Sequence, residues 1–136
     1  RYNRKIILYK RFFIMAQTIT EKIFSQHVGR KVFAGEIIRC DIDMVIGNDI
    51  TTPISIKAFE DSGAKKLANP DGFSIVLDHF IPAKDIASAN QARISRDFAK
   101  KHNLKNFFDE KDMGIEHALL PEKGLVVPGD VIIGAD

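Results

Sequence analysis

The sequence predicts an α/β domain: a parallel sheet with helices on both faces, in three layers. Apolar segments with the 3.6-residue period of a helix alternate along the chain with short runs of strand length. Such alternation assembles as strand–helix–strand crossovers. Two of the strand-like runs, FSIVL at residues 73–77 and VII at 131–133, are unbroken. Continuous apolar runs suit strands buried on both faces, as in a parallel sheet. No repeat or low-complexity tract is present, which removes solenoids and linkers.

The elements follow in order. Thr18, Ile19, Thr20 and Glu21 form a capping-box pattern, and Ile19, Ile23, Phe24 and Val28 give a helical stripe ending at Gly29. Over residues 37–44, Ile38, Cys40, Ile42 and Met44 alternate with polar neighbours, which predicts a strand with Cys40 in the core. Thr52 as N-cap and Pro53 at the first helical position open a second helix, running through Ile56 and Phe59 to Gly63. Residues 73–77 are a buried strand bounded by Pro70-Asp71-Gly72 and Asp78. The longest helix spans residues 84–103, with Ile94 and Phe98 completing its apolar face. Phe107 and Phe108 mark a brief strand, residues 115–120 a short helix before Pro121, and Pro128-Gly129-Asp130 a turn into the strand at 131–133. His27 and His102 fall near helix ends, where a solvated imidazole complements the dipole.

Composition bounds the function. The net charge of +2 is carried by residues 1–14, which hold five of the 20 basic residues and no acidic one. Without them 15 Lys and Arg face 18 Asp and Glu, a net of −3, so a nucleic-acid partner is not expected. Residues 1–14 are read as a basic N-terminal extension upstream of a start at Met15, with no role in the fold. The domain is then residues 15–136. No apolar run approaches the roughly 18 residues of a membrane span. One cysteine excludes an internal disulfide and a structural zinc site, and it fits a reducing, cytoplasmic compartment. There is no Gly-rich phosphate loop, HExxH or CxxC.

Ligands of parallel α/β sheets collect at the carboxyl ends of the strands. Here those ends are polar: Gly47-Asn48-Asp49, Asp78-His79 and Asp136. Their side chains are expected to converge on one rim.

Four segments in fixed order add a resemblance. MAQTITEKIFSQHVGRKVFAGEII, VIGNDITTPISIKAF, LDHFIPAKDIASANQARISRDFAKKHN and MGIEHALLPEKGLVVPGDVIIGAD together resemble the start of the large subunits of the 3-isopropylmalate dehydratase family, in the aconitase superfamily. The likeness covers nearly all of residues 15–136, so the chain is expected to be the N-terminal, incomplete part of the aconitase first domain. It implies a hydro-lyase that isomerises 2-isopropylmalate and 3-isopropylmalate in leucine biosynthesis. The substrate class is a 2-hydroxy dicarboxylate, the cofactor a [4Fe–4S] cluster, and the partner a small subunit. Matched position by position, His79 would protonate the departing hydroxyl and Asp78 would orient it. His117 would lie near the iron-bound water or hydroxyl, Asp136 would be an active-site aspartate, and Asn48 would be a substrate-contacting amide. No residue here matches a cluster ligand. The family continues after Gly-Ala-Asp with Ser-His-Thr, and its cluster cysteines lie beyond. The chain alone is therefore expected to be inactive. The alternatives are a non-catalytic truncated or complementing fragment, or a homoaconitate- or citramalate-type dehydratase.

Overall fold

The computed structural model describes residues 16–136; the basic segment at 1–14 lies outside them. The described residues fall into two compact units, 16–39 and Cys40–Asp136.

In the first unit, helix α1 (Ile19–Val28) starts with the expected capping box. Glu21 N donates to Thr18 Oγ1 at 3.2 Å, and Thr18 N donates to Glu21 Oε2 at 2.7 Å. The other Glu21 oxygen accepts the Ala34 N–H at 2.9 Å, so one carboxylate caps the helix and pins the returning loop. These amides, Thr18 first and then Ala34, hold its carboxyl below the usual range. Gly29 ends α1 at φ 73°, the left-handed conformation that glycine adopts without strain. No residue of the expected apolar stripe is fully buried, and Ile19 is largely exposed.

The second unit is the α/β domain. Its elements are β1 (Met44–Asn48), α2 (Thr52–Asp61), β2 (Phe73–Val76), α3 (Ile86–Lys101), β3 (Asn106–Phe108), α4 (Glu116–Glu122) and β4 (Ile132–Gly134). The sheet runs β3-β2-β1-β4 with every pairing parallel. Steps β1–α2–β2 and β2–α3–β3 move the same way, so right-handed crossovers put α2 and α3 on one face. The return from β3 to β4 passes β2 and β1 and carries α4.

The core lies between β2 and the α2–α3 layer: Ile56, Ile75, Leu77, Ala92 and Phe98. Ile75 and Leu77, two residues apart, share that face, while Ser74 and Val76 on the other are equally buried. Phe98 meets Phe59 and Phe73 edge-on, at centroid distances of 5.8 and 6.2 Å.

Several local expectations are corrected. The strand expected at 37–44 forms instead at Met44–Asn48; Ile37 is fully exposed and Cys40 only half-buried. β1 has neighbours on both sides, so the unbroken run MVIG forms it and the alternating pattern before it does not. The helix cap is Thr51, one residue earlier than read. On α3 the buried positions are chiefly small, Ser88, Ala92, Ser95 and Ala99, with Phe98, while Ile86 and Ile94 face outward. α4 extends through Pro121 rather than ending before it. The 131–133 run sits on a sheet edge with β1 on one side only, so Ile133 is 55% exposed rather than buried. His102 is not a solvated helix end: its ring lies 4.3 Å from that of Phe98, with Nε2 buried.

Candidate active site

The direction of travel across the sheet reverses at β1, with β2 on one side and β4 on the other. That reversal opens a crevice at the carboxyl ends of the strands. All five residues singled out from sequence gather there, together with two more.

Asn48, at the end of β1, is fully buried. Its Oδ1 accepts from Ile50 N, Thr51 N and Thr51 Oγ1 at 2.9–3.0 Å, which bends the chain into α2. Its Nδ2 donates to Ala135 O at 3.3 Å, tying the ends of β1 and β4 together. Asp49, also buried, accepts the His79 and Phe80 N–H groups at 3.0 and 2.6 Å. It fixes the turn after β2 that carries the histidine.

That turn lets adjacent side chains meet. Asp78 Oδ1 lies 2.7 Å from His79 Nδ1, and Asp78 Oδ2 accepts the Glu116 N–H at 2.7 Å, anchoring α4. His79 Nε2 lies 3.2 Å from Asp136 Oδ1, and His117 Nε2 lies 3.3 Å from Asp136 Oδ2. One carboxylate thus bridges two imidazoles. Burial alone would lower the His79 pKa. The hydrogen bond and charge of Asp78, with Asp49 and Asp136 behind them, outweigh it and hold His79 above its usual value. Asp136 is held low, chiefly by its hydrogen bond from His117.

Glu116 completes the rim. It is 1% exposed, and neither carboxylate oxygen has a hydrogen bond of good geometry, although the Asn48 amide acts on it as a donor. The His117 ring approaches Oε1 only to 3.5 Å. Burial, then the Asp78 charge, pushes its carboxyl above the usual range, with the Asn48 amide partly opposing. Sequence reasoning missed Glu116 and Asp49 as site residues. Asp49 was legible as part of the polar end of β1. Glu116 had no such signal, because an acidic residue in a first helical turn is ordinarily solvated.

The rim holds acids and imidazoles and offers no thiolate. Two triads, Asp49–Asp78–His79 and Glu116–His117–Asp136, are compact, with candidate ligand atoms within 4.8 Å. Asp49 and Asp78 already give both oxygens to hydrogen bonds, and Asp136 gives its pair to the histidines. Both are hydrogen-bonded groups of carboxylates and imidazoles. An iron–sulfur cluster needs cysteine thiolates. Cys40, the one cysteine, lies in the segment before β1, with its Sγ bonded to Asp41 O at 3.0 Å. The donors of this chain therefore do not fit a cluster. A hollow of about 500 Å³ lies elsewhere, walled by Val45, Ile56, Phe59, Phe73 and Phe98 among others. It is mainly apolar and contains no histidine, so it does not mark the chemistry here.

Residues 21–136 match the aconitase family (aconitate hydratase). The chain belongs to the aconitase family. It is 96% identical over 122 residues to the 3-isopropylmalate dehydratase large subunit of Sulfurimonas denitrificans. It is 86% identical over the same length to that of Aliarcobacter butzleri, and 85% to that of Nitratiruptor sp.. Each match takes in 90% of this chain and 29% of the relative, so this aconitase-family chain spans under a third of those proteins. None of its described helices is long and apolar enough to cross a membrane.

Proposed function

We propose that this chain is the N-terminal portion of a 3-isopropylmalate dehydratase large subunit, and that its rim supplies the acid–base groups of a hydro-lyase. The observation that supports this most is the His79–Asp136–His117 bridge, backed by Asp78 at the Nδ1 of His79. Loss of water from a 2-hydroxy dicarboxylate needs an acid for the departing hydroxide and a base for the proton on the adjacent carbon. His79 suits the acid. With both ring nitrogens protonated it donates to Asp78 and Asp136, and those carboxylates favour the protonated ring, raising its pKa above the usual value. Asp78 orients the ring, and Asp136 passes charge between the two imidazoles. His117, more open to solvent, connects this set with water. Asn48 holds the rim closed; its Oδ1 is committed and one Nδ2 hydrogen goes to Ala135 O, so a substrate contact from it would use the second Nδ2 hydrogen.

No residue of this chain would hold a [4Fe–4S] cluster; in the complete enzyme such a cluster would supply Lewis-acid chemistry toward the substrate hydroxyl. Its ligands come from polypeptide beyond these 136 residues. The small subunit would complete substrate binding, in the cytoplasm, as part of leucine biosynthesis. The chain alone is then inactive. Anaerobic reconstitution with iron and sulfide, followed by a dehydration assay on isopropylmalate, tests this. The chain should take up no stoichiometric cluster and show no turnover, whereas the full-length large subunit with its small subunit should show both. Cluster and turnover in the chain alone would overturn the proposal.

A further inference from the structure

Asp49, just after β1, is a rim acid that the acid–base reading leaves without a chemical part. It is buried, and its two oxygens accept two successive backbone N–H groups, Oδ1 that of His79 at 3.0 Å and Oδ2 that of Phe80 at 2.6 Å. The bond to the His79 amide also brings Oδ1 to the ring of the same residue, 3.6 Å from Nδ1. Asp78 Oδ1 is at that nitrogen too, at 2.7 Å. Nδ1 therefore faces two carboxylates, and Nε2 faces one, Asp136 at 3.2 Å. The two sides also differ in burial. The side chains of Asp49 and Asp78 are 1% and 7% exposed, against 65% for Asp136, so water screens the charge at Nε2 far more than those at Nδ1. The groups of α4 reach the ring indirectly: the Glu116 N–H bonds to Asp78, and His117 bonds to Asp136. A neutral imidazole carries a single proton, placed by the hydrogen bonds its two nitrogens make.

We propose that Asp49 selects the nitrogen with which His79 works: together with Asp78 it keeps a proton on Nδ1, so that Nε2 is the nitrogen that gives and regains one. This assignment rests on the dehydratase reading above. In dehydration a base takes the proton from the carbon next to the hydroxyl, and the electron pair of that C–H bond forms the alkene. The C–O bond breaks with its pair on oxygen, and the proton of Nε2 joins the departing hydroxide as water. The pair of the broken N–H bond stays on Nε2, while Nδ1 keeps its proton between Asp78 and Asp49. Asp49 touches no reacting atom and acts through His79, so it is a positioning residue. Both of its tasks need a carboxylate. An amide in its place offers one acceptor for two N–H groups and no charge at Nδ1.

The test has two arms. In the 136-residue chain, long-range 1H–15N spectra of labelled histidine report which ring nitrogen of His79 holds the proton once the ring is neutral. The expected result is Nδ1 in the wild type, with a larger share on Nε2 in Asp49→Asn. A wild-type His79 with its proton on Nε2 overturns the proposal, whether or not the variant folds. The second arm uses the full-length large subunit with its small subunit. There D49N should lower kcat about tenfold or more with KM within about twofold. His79 must be protonated to act, so kcat falls as pH rises through its pKa. Without the Asp49 charge that fall should move about one pH unit lower, and Asp49→Glu, which keeps the charge on a longer arm, should restore its position in part. A purely structural Asp49 predicts no such movement in any folded variant, with Asn, the closer fit, better tolerated than Glu; that result overturns the proposal. If His79 holds its proton on Nδ1 in an enzyme that does not dehydrate isopropylmalate, the functional reading fails and the nitrogen assignment stands.

Discussion

At the scale of single residues, the rim works because short backbone turns carry acids that bind amides. Asp49 was legible only as a polar strand end, yet it holds both N–H groups that set the His79 turn. Asp49→Asn keeps one acceptor and turns an NH2 toward the second amide, leaving a buried donor unpaired. The expected loss is about 2–3 kcal/mol in urea unfolding, with the His79 resonances displaced; a change below about 0.5 kcal/mol would remove Asp49 from the account. His79 carries a pH signature. Its folded pKa lies above the unfolded value near 6.5, so the stability from its carboxylate partners is fully present below 6.5 and is lost as pH rises through the folded pKa. NMR titration should place His79 above 6.5, and Asp78→Asn should bring it down. A His79 that titrates below 6.5 would contradict the geometry. The histidines and Asp78 could be picked from the sequence because DHF and GIEH are short and distinctive. Burial of Glu116 could not, since it depends on β2 and α4 meeting through Asp78.

At the scale of elements, the two strands with unbroken apolar runs were legible, but burial on both faces held only for β2. An unbroken run says nothing about which strand lies on the edge, and β4 does. The alternating pattern before β1 misled, since period-2 polarity describes a strand with one wet face and β1 has none. The close β1–α2 join is also invisible without coordinates. A side chain at Gly47 would run into Thr52 Oγ1, and that hydroxyl is buried without a partner. Gly47→Ala should destabilise by about 1–3 kcal/mol, while Thr52→Ala should be nearly neutral and should relieve much of the Gly47→Ala penalty. Additive losses in a double-mutant cycle would show that the two do not meet. Ile75→Ala, at the centre of the core, should lose about 2–5 kcal/mol.

For the whole molecule, the order of motifs decided the family more firmly than any element did, and the parallel sheet agrees with it. What the sequence could not supply was the reversal at β1 that gathers Asn48, His79 and Asp136. That arrangement comes from the strand order, which composition and period do not encode. With β4 at the sheet edge and Ile133 largely exposed, the chain alone should self-associate at high concentration, seen as a rising mass by light scattering. A stable monomer at millimolar concentration would speak against this. The central claim is that His79 is the acid of a hydro-lyase, and the most direct measurement is kcat for isopropylmalate dehydration by His79→Gln in the full-length enzyme with matched iron content. If His79 is that acid, kcat falls about 10²–10⁴-fold with the cluster retained; a kcat within about threefold of wild type would contradict the assignment.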